Sequence, residues 1–134
     1  SDLYSDFTVS ANIKMPAEGN TFSKAGIKIA VDESKYFTAF VVGNKIVLLS
    51  TLDGGASWVQ IWGGNYEIHS YDAEKGVDLR LKKTGEQIEV YANDMLVHTE
   101  SGFAIGADTQ VKIGFTSEAV SPVEYSNIVL TYGE

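Results

Sequence analysis

The residues best suited to do chemistry in this chain sit in one short run, Ser57-Trp58-Val59-Gln60-Ile61-Trp62-Gly63-Gly64. In an extended strand successive side chains point to opposite faces. Val59 and Ile61 then share one face as core material, and Trp58, Gln60 and Trp62 share the other. Two indoles about 7 Å apart along a strand, with an amide between them, form a platform on which sugar rings could stack. The alternative is that one or both tryptophans lie under a loop or in a second layer of core, where most tryptophans go.

Other polar and aromatic side chains extend the candidate set. Arg80 and Lys82 alternate on one predicted strand, and Gln87, Glu89 and Tyr91 on the next. Pairing of Arg80 or Lys82 with Glu89 across that hairpin would leave Tyr91 as the exposed aromatic. Tyr66 and Tyr71 follow the tryptophan run in a segment that could rim a site. The carbohydrate-binding candidates are therefore Trp58, Gln60, Trp62, Tyr66, Glu89 and Tyr91, which join aromatic faces to hydrogen-bonding groups.

Catalytic constellations are missing. The chain has no Cys and no Gly-x-Ser-x-Gly turn. Its two histidines, His69 and His98, lack metal-ligand spacing, so zinc is disfavoured. Asp32 with Glu33, and Asp72 with Glu74, fall in predicted loops where carboxylates are ordinarily solvated. Calcium would need six to eight oxygens. Asp53, Asp72, Asp78, Asn20 and Asp108 lie in or beside predicted loops, and no EF-hand string accompanies them. A structural calcium is an expectation without a named ligand set.

The composition is that of one globular domain, with 134 residues, 44% hydrophobic and 21% charged. The net charge of −8 and the single basic group Arg80, Lys82 and Lys83 argue against nucleic acid and anionic membrane surfaces as partners. No apolar run approaches the ~20 residues of a membrane span. The strand pattern begins almost at once after Ser1-Asp2-Leu3-Tyr4, as in a module cut from a longer chain. Absence of Cys suits either a bacterial secreted protein or a cytosolic one.

The elements that must position these residues read as strands throughout. Phe7, Val9, Ala11, Ile13 and Met15 alternate with polar residues up to Pro16. Ala25, Ile27, Ile29 and Val31 repeat the pattern, and Asp32-Glu33-Ser34-Lys35 turns the chain. Tyr36 to Val42 is apolar on both faces, which predicts a central strand or one covered on both sides. Gly43-Asn44 predicts a hairpin returning over Ile46 to Leu52, and Asp53-Gly54-Gly55 leads to the tryptophan strand. Gly63-Gly64-Asn65 follows it, and Tyr66 to Gly76 reads as a short strand with a polar crossover. Val77, Leu79 and Leu81, then Ile88, Val90 and Ala92, make an amphipathic hairpin about Thr84-Gly85-Glu86. Asn93-Asp94 turns it into Met95 to Thr99. Val111, Ile113 and Phe115 mark another strand, and Tyr125 to Tyr132 a last one with Ile128 and Leu130 inward. About ten short strands without helical spacing predict an all-β antiparallel sandwich, or a barrel, spanning residues 1–134 as one domain.

The succession of Phe7-Thr8-Val9-Ser10-Ala11, Lys24-Ala25-Gly26-Ile27-Lys28-Ile29, Val77-Asp78-Leu79-Arg80-Leu81, Ile88-Glu89-Val90-Tyr91, Val111-Lys112-Ile113-Gly114-Phe115 and Tyr125-Ser126-Asn127-Ile128 resembles the concanavalin A-like lectin and glucanase superfamily. Within it the chain resembles in particular laminin-G-like modules of bacterial extracellular glycoside hydrolases. The resemblance covers residues 6 to 132 and implies a jelly-roll β-sandwich. It also implies a non-catalytic carbohydrate-binding module, monomeric within a multidomain secreted or cell-surface chain, often with a structural calcium. Glucanases of this fold carry a Glu-x-Asp-x-x-Glu run that this chain lacks, so no enzyme activity is expected. A structural spacer or protein-interaction module without a glycan ligand is the alternative expectation.

Overall fold

The computed structural model describes residues 3–4, 6–15, 24–54, 56, 59–72, 74–101, 111–118 and 123–132. Among them there is no helix, and eleven strands form two antiparallel sheets. The strands are β1 (Leu3–Tyr4), β2 (Phe7–Lys14), β3 (Lys24–Ala30), β4 (Tyr36–Val42), β5 (Lys45–Thr51), β6 (Val59–Glu67), β7 (Val77–Thr84), β8 (Gln87–Ala92), β9 (Met95–Glu100), β10 (Val111–Glu118) and β11 (Glu124–Tyr132). The larger sheet has the order β1-β10-β3-β4-β5-β6, and the smaller β11-β2-β7-β8-β9.

The alternation read from the sequence becomes the core. Phe7, Val9 and Ile13 of β2, with Val77, Leu79 and Leu81 of β7 and Ile88, Val90 and Ala92 of β8, supply one wall. Ala25, Ile27 and Ile29 of β3, Phe37, Ala39 and Val41 of β4, and Ile46 and Leu48 of β5 supply the other. Beta-branched residues in these rows suit a pleated, buried surface. As expected, β4 is an interior strand of its sheet, and its middle residues on both faces are buried. The β4–β5 hairpin closes through two residues, with Gly43 at φ 61°, as the first central position of a type II′ turn requires.

Three features depart from the expected pattern. The strand carrying Trp62 runs on through the glycines to Glu67. Ile46 pairs with Tyr66 and Leu48 with Ile61, so Trp62 to Asn65 oppose Val47 alone. The glycines thus form a bulge within the strand, and glycine inside a strand commonly marks one. Ile128, expected inward, is 54% exposed. Asn127 takes a left-handed conformation (φ 53°), and Asn127 and Ile128 together oppose Ala11 between the pairs Ser126–Asn12 and Val129–Ser10. The extra residue turns Ile128 out and restores Leu130 to the core side. Finally, Lys83 continues the inward row of Val77, Leu79 and Leu81, and it is buried with its ammonium 3.8 Å from the Asp6 carboxylate. That carboxylate also accepts the Gly85 N–H at 3.1 Å. Removing one partner of a buried ion pair leaves the other charge uncompensated, so Lys83→Met is expected to cost up to about 3 kcal/mol, the Asp6 side chain being partly open to water. Urea denaturation reads this, and an unchanged midpoint would show that the pair adds nothing over apolar packing.

Candidate functional site

The six-stranded sheet is unusual on its outer face, the one turned away from the core. Its pairing aligns Gly114, Lys28, Thr38, Leu49 and Gln60 in one row across β10, β3, β4, β5 and β6. A second row joins Thr116, Gly26, Phe40 and Val47, and a third joins Lys112, Ala30, Tyr36 and Thr51. An antiparallel sheet with one solvated face ordinarily carries polar residues there. Here Tyr36, Phe40, Val47 and Leu49 make it apolar and aromatic, with Phe40 only 6% exposed. Two lysines from β3 lie over these rings, Lys24 Nζ 5.1 Å from the Phe40 centroid and Lys28 Nζ 4.0 Å from that of Tyr36. Each such contact attracts an ammonium to the negative ring face. The result is a surface of aromatic and aliphatic groups edged by hydrogen-bond donors.

The sequence-derived site residues divide between the two layers. Gln60, Trp62 and Tyr66 belong to β6, the edge of the six-stranded sheet, where Gln60 pairs with Leu49 in the row through Thr38 and Lys28. Their side chains, and Trp58 altogether, lie outside the described residues. Glu89 and Tyr91 belong to β8 of the five-stranded sheet, so the structure does not gather the six into one site. Lys24, Lys28, Tyr36 and Phe40 were missed by sequence reasoning. The signal was present in the doubly apolar β4, read only as a sign of a central strand.

On the five-stranded sheet Arg80 pairs with Asp94 at 3.2 Å rather than with Glu89. Its guanidinium lies 4.3 Å over the Tyr91 ring, and the Tyr91 hydroxyl donates to Glu89 Oε1 at 3.1 Å. Desolvation, then the hydrogen bond and charge of Glu89, raise the Tyr91 pKa, while Arg80 opposes them. Burial likewise raises that of Tyr125, whose hydroxyl donates to the Thr116 carbonyl at 3.0 Å. Both phenols therefore ionise above the usual value of about 10. A tyrosine whose folded pKa is raised stabilises fully below its unfolded pKa, and that contribution is lost as pH climbs through the folded one. Ultraviolet difference titration is expected to show Tyr91 and Tyr125 among the tyrosines that ionise late, and Tyr91→Phe to remove one late step. Ionisation of all tyrosines together near pH 10 would contradict this.

The acidic loop residues do not converge. Asp53 accepts the Thr51 hydroxyl, Asp72 the Glu74 N–H and Asp78 the Asn12 amide. Among the described residues no three His, Cys, Asp or Glu side chains are gathered as a metal would need. Asn20 and Asp108 lie outside them. His98 Nε2 is 3.0 Å from Glu100 Oε1, and His69 offers its backbone carbonyl to Asn93.

This arrangement of strands recurs in solved proteins. The carbohydrate-binding module CBM66 of Bacillus subtilis superposes with a TM-score of 0.67 at 20% identity, over 97% of this chain and 77% of that one. The fold is a concanavalin A-like jelly-roll β-sandwich. A variant of human galectin-16 shares that sandwich with a TM-score of 0.72 at 14% identity, over 97% of this chain and 89% of the galectin. A β-fructofuranosidase of Aspergillus kawachii contains it as well, with a TM-score of 0.65 at 20% identity, over 98% of this chain but 24% of the enzyme. Neither the known family models nor the curated protein sequences match the chain. At these identities the likeness shows the lectin-type sandwich alone.

Proposed function

We propose that this chain is a non-catalytic carbohydrate-binding module that receives a glycan on the outer face of β3 to β6. The observation that carries the reading is the apolar, aromatic face of Tyr36, Phe40, Val47 and Leu49, edged by Lys24 and Lys28. A pyranose presents apolar C–H groups on one side and hydroxyls at its rim. Aromatic rings with adjoining donors complement both. Gln60, with Trp58 and Trp62 beside it in sequence, would extend the face along β6, since it stands in the row of Thr38 and Lys28, whereas Tyr66 pairs with the core residue Ile46. Solved proteins of the same fold include a carbohydrate-binding module and galectins, which supports the reading.

In the finer form of the proposal the module belongs to a bacterial secreted or cell-surface protein. There it holds an appended glycoside hydrolase against polysaccharide. The test is a binding screen of the chain against soluble and insoluble polysaccharides and glycans, with calcium and with chelator. Lys28→Ala, Trp58→Ala and Trp62→Ala are each expected to weaken binding at least about tenfold, or 1.4 kcal/mol. Parental affinity in all three would sink the proposed face. No binding across the panel would sink the function, and loss with chelator alone would reveal calcium.

A further inference from the structure

The outer face of the five-stranded sheet holds a polar groove that the glycan face does not use. Ser10 pairs with Arg80 and Asn12 with Asp78, a block of four outward positions on β2 and β7. The β11 bulge at Asn127 stands on one side, and the left-handed Asn93-Asp94 turn (φ 50° and 64°) on the other. Between them Ser10, Asn12, Asp78, Arg80, Asp94 and Asn127 line a hollow of about 290 Å³. It continues over the sheet end into a second of about 190 Å³, bounded by Ser70, Asp72, Lys75, Gly76 and Asn93.

The floor is held in place. The Asn12 amide donates to the Lys75 carbonyl at 3.0 Å and to Asp78 Oδ1 at 2.9 Å. Asn93 accepts the Asp78 N–H at 2.9 Å and donates to the His69 carbonyl at 2.8 Å. Much capacity stays unspent. Among the described residues only Asp94 engages Arg80 by hydrogen bond, a side chain with five N–H donors. The second oxygens of Asp78 and Asp94 and the side-chain amide of Asn127 have no partner there.

We propose that this groove is a second sugar site, which takes a terminal residue of a neutral glycan by hydrogen bonds without stacking. The proposal rests on the reading of the chain as a carbohydrate-binding module. Amides, carboxylates and a guanidinium side by side suit hydroxyls, which both donate and accept. No aromatic side chain lines the groove among the described residues, so no stacking face is offered to a flat polymer. Asp72, Asp78 and Asp94 outnumber Lys75 and Arg80 along the groove and repel acidic sugars. With sites on opposite sheets, one chain engages two glycan ends, and the gain comes through effective concentration.

The test is a ¹⁵N-resolved NMR titration of the 134-residue chain with glucose, galactose, mannose and fructose in turn. At least one sugar is expected to shift the Asn12 and Asn127 side-chain amides and Arg80 Nε saturably. Arg80→Ala, and Asn127→Gly, which keeps the left-handed backbone, should weaken that response at least about tenfold while leaving shifts on β3 to β6. Saturable shifts on β3 to β6 alone would overturn the groove and leave the module reading standing. An equal response to glycerol, or a stronger one to glucuronate than to glucose, would overturn the ligand class. No shift with any sugar and no polysaccharide bound would overturn both.

Discussion

Gly26→Ala is expected to destabilise the protein by about 3 kcal/mol or more, at the upper end of the cost of overpacking. A Cβ at Gly26 would run into the Ala39 carbonyl oxygen and come within 2.9 Å of Phe40 Cα. These are backbone atoms of β4, the neighbouring interior strand, so they cannot rotate away as a side chain would. Gly114, in β10 of the same sheet, is the internal control, since a Cβ there meets nothing within 4 Å. Gly114→Ala should leave stability within about 1 kcal/mol of the parent. For a chain of this size 1 kcal/mol moves the melting midpoint by about 4 °C. Calorimetry should therefore separate the two variants by 10 °C or so. Equal midpoints would mean that β3 and β4 are not so closely apposed.

Phe37→Ala and Phe40→Ala should part stability from binding on a single strand. Phe37 is fully buried within the core cluster, while Phe40 lies on the other face of β4 under Lys24. Truncating a core phenylalanine removes its transfer energy and leaves a cavity, a cost of about 3–5 kcal/mol. The Phe40 change should cost about 2–3 kcal/mol, near the plain burial value, because the ring is buried yet stands outside the core cluster between the sheets. The glycan readout should reverse the order. Phe40→Ala removes a ring of the proposed face and should abolish measurable binding, whereas folded Phe37→Ala retains it. If Phe40→Ala binds as the parent does, the sugar lies elsewhere. If it loses as much stability as Phe37→Ala, the outer side of β4 is packed as closely as the core.

Much of the fold was legible in the residues themselves. The period of two in β2, β7 and β8 named the core side chains Phe7, Val9, Leu79, Leu81, Ile88 and Val90, all buried. Gly43-Asn44, Gly85-Glu86 and Asn93-Asp94 marked turns that occur where expected, because positive φ selects Gly and Asn. The doubly apolar β4 declared its interior place. Lys83 was not found, since an amine on an inward row is legible only once the row is extended past Leu81.

The site was harder to read because alternation assigns a side chain to a face of its strand, and says nothing of which sheet the strand joins. Gln60 and Trp62 on β6 and Glu89 and Tyr91 on β8 share the same kind of pattern, yet pairing sends them to opposite layers. Bulges escape for a related reason. Whether Gly63-Gly64 ends a strand, or Ile128 faces inward, depends on the residue count of the partner strand. The sequence by itself determined an all-β antiparallel sandwich or barrel, its core rows and its turns, through local sterics and the burial of alternate residues. Only the tertiary structure decided which strands lie side by side. That choice set two lysines over Phe40 and Tyr36, and placed Asn12, Asp78, Arg80 and Asp94 around one groove.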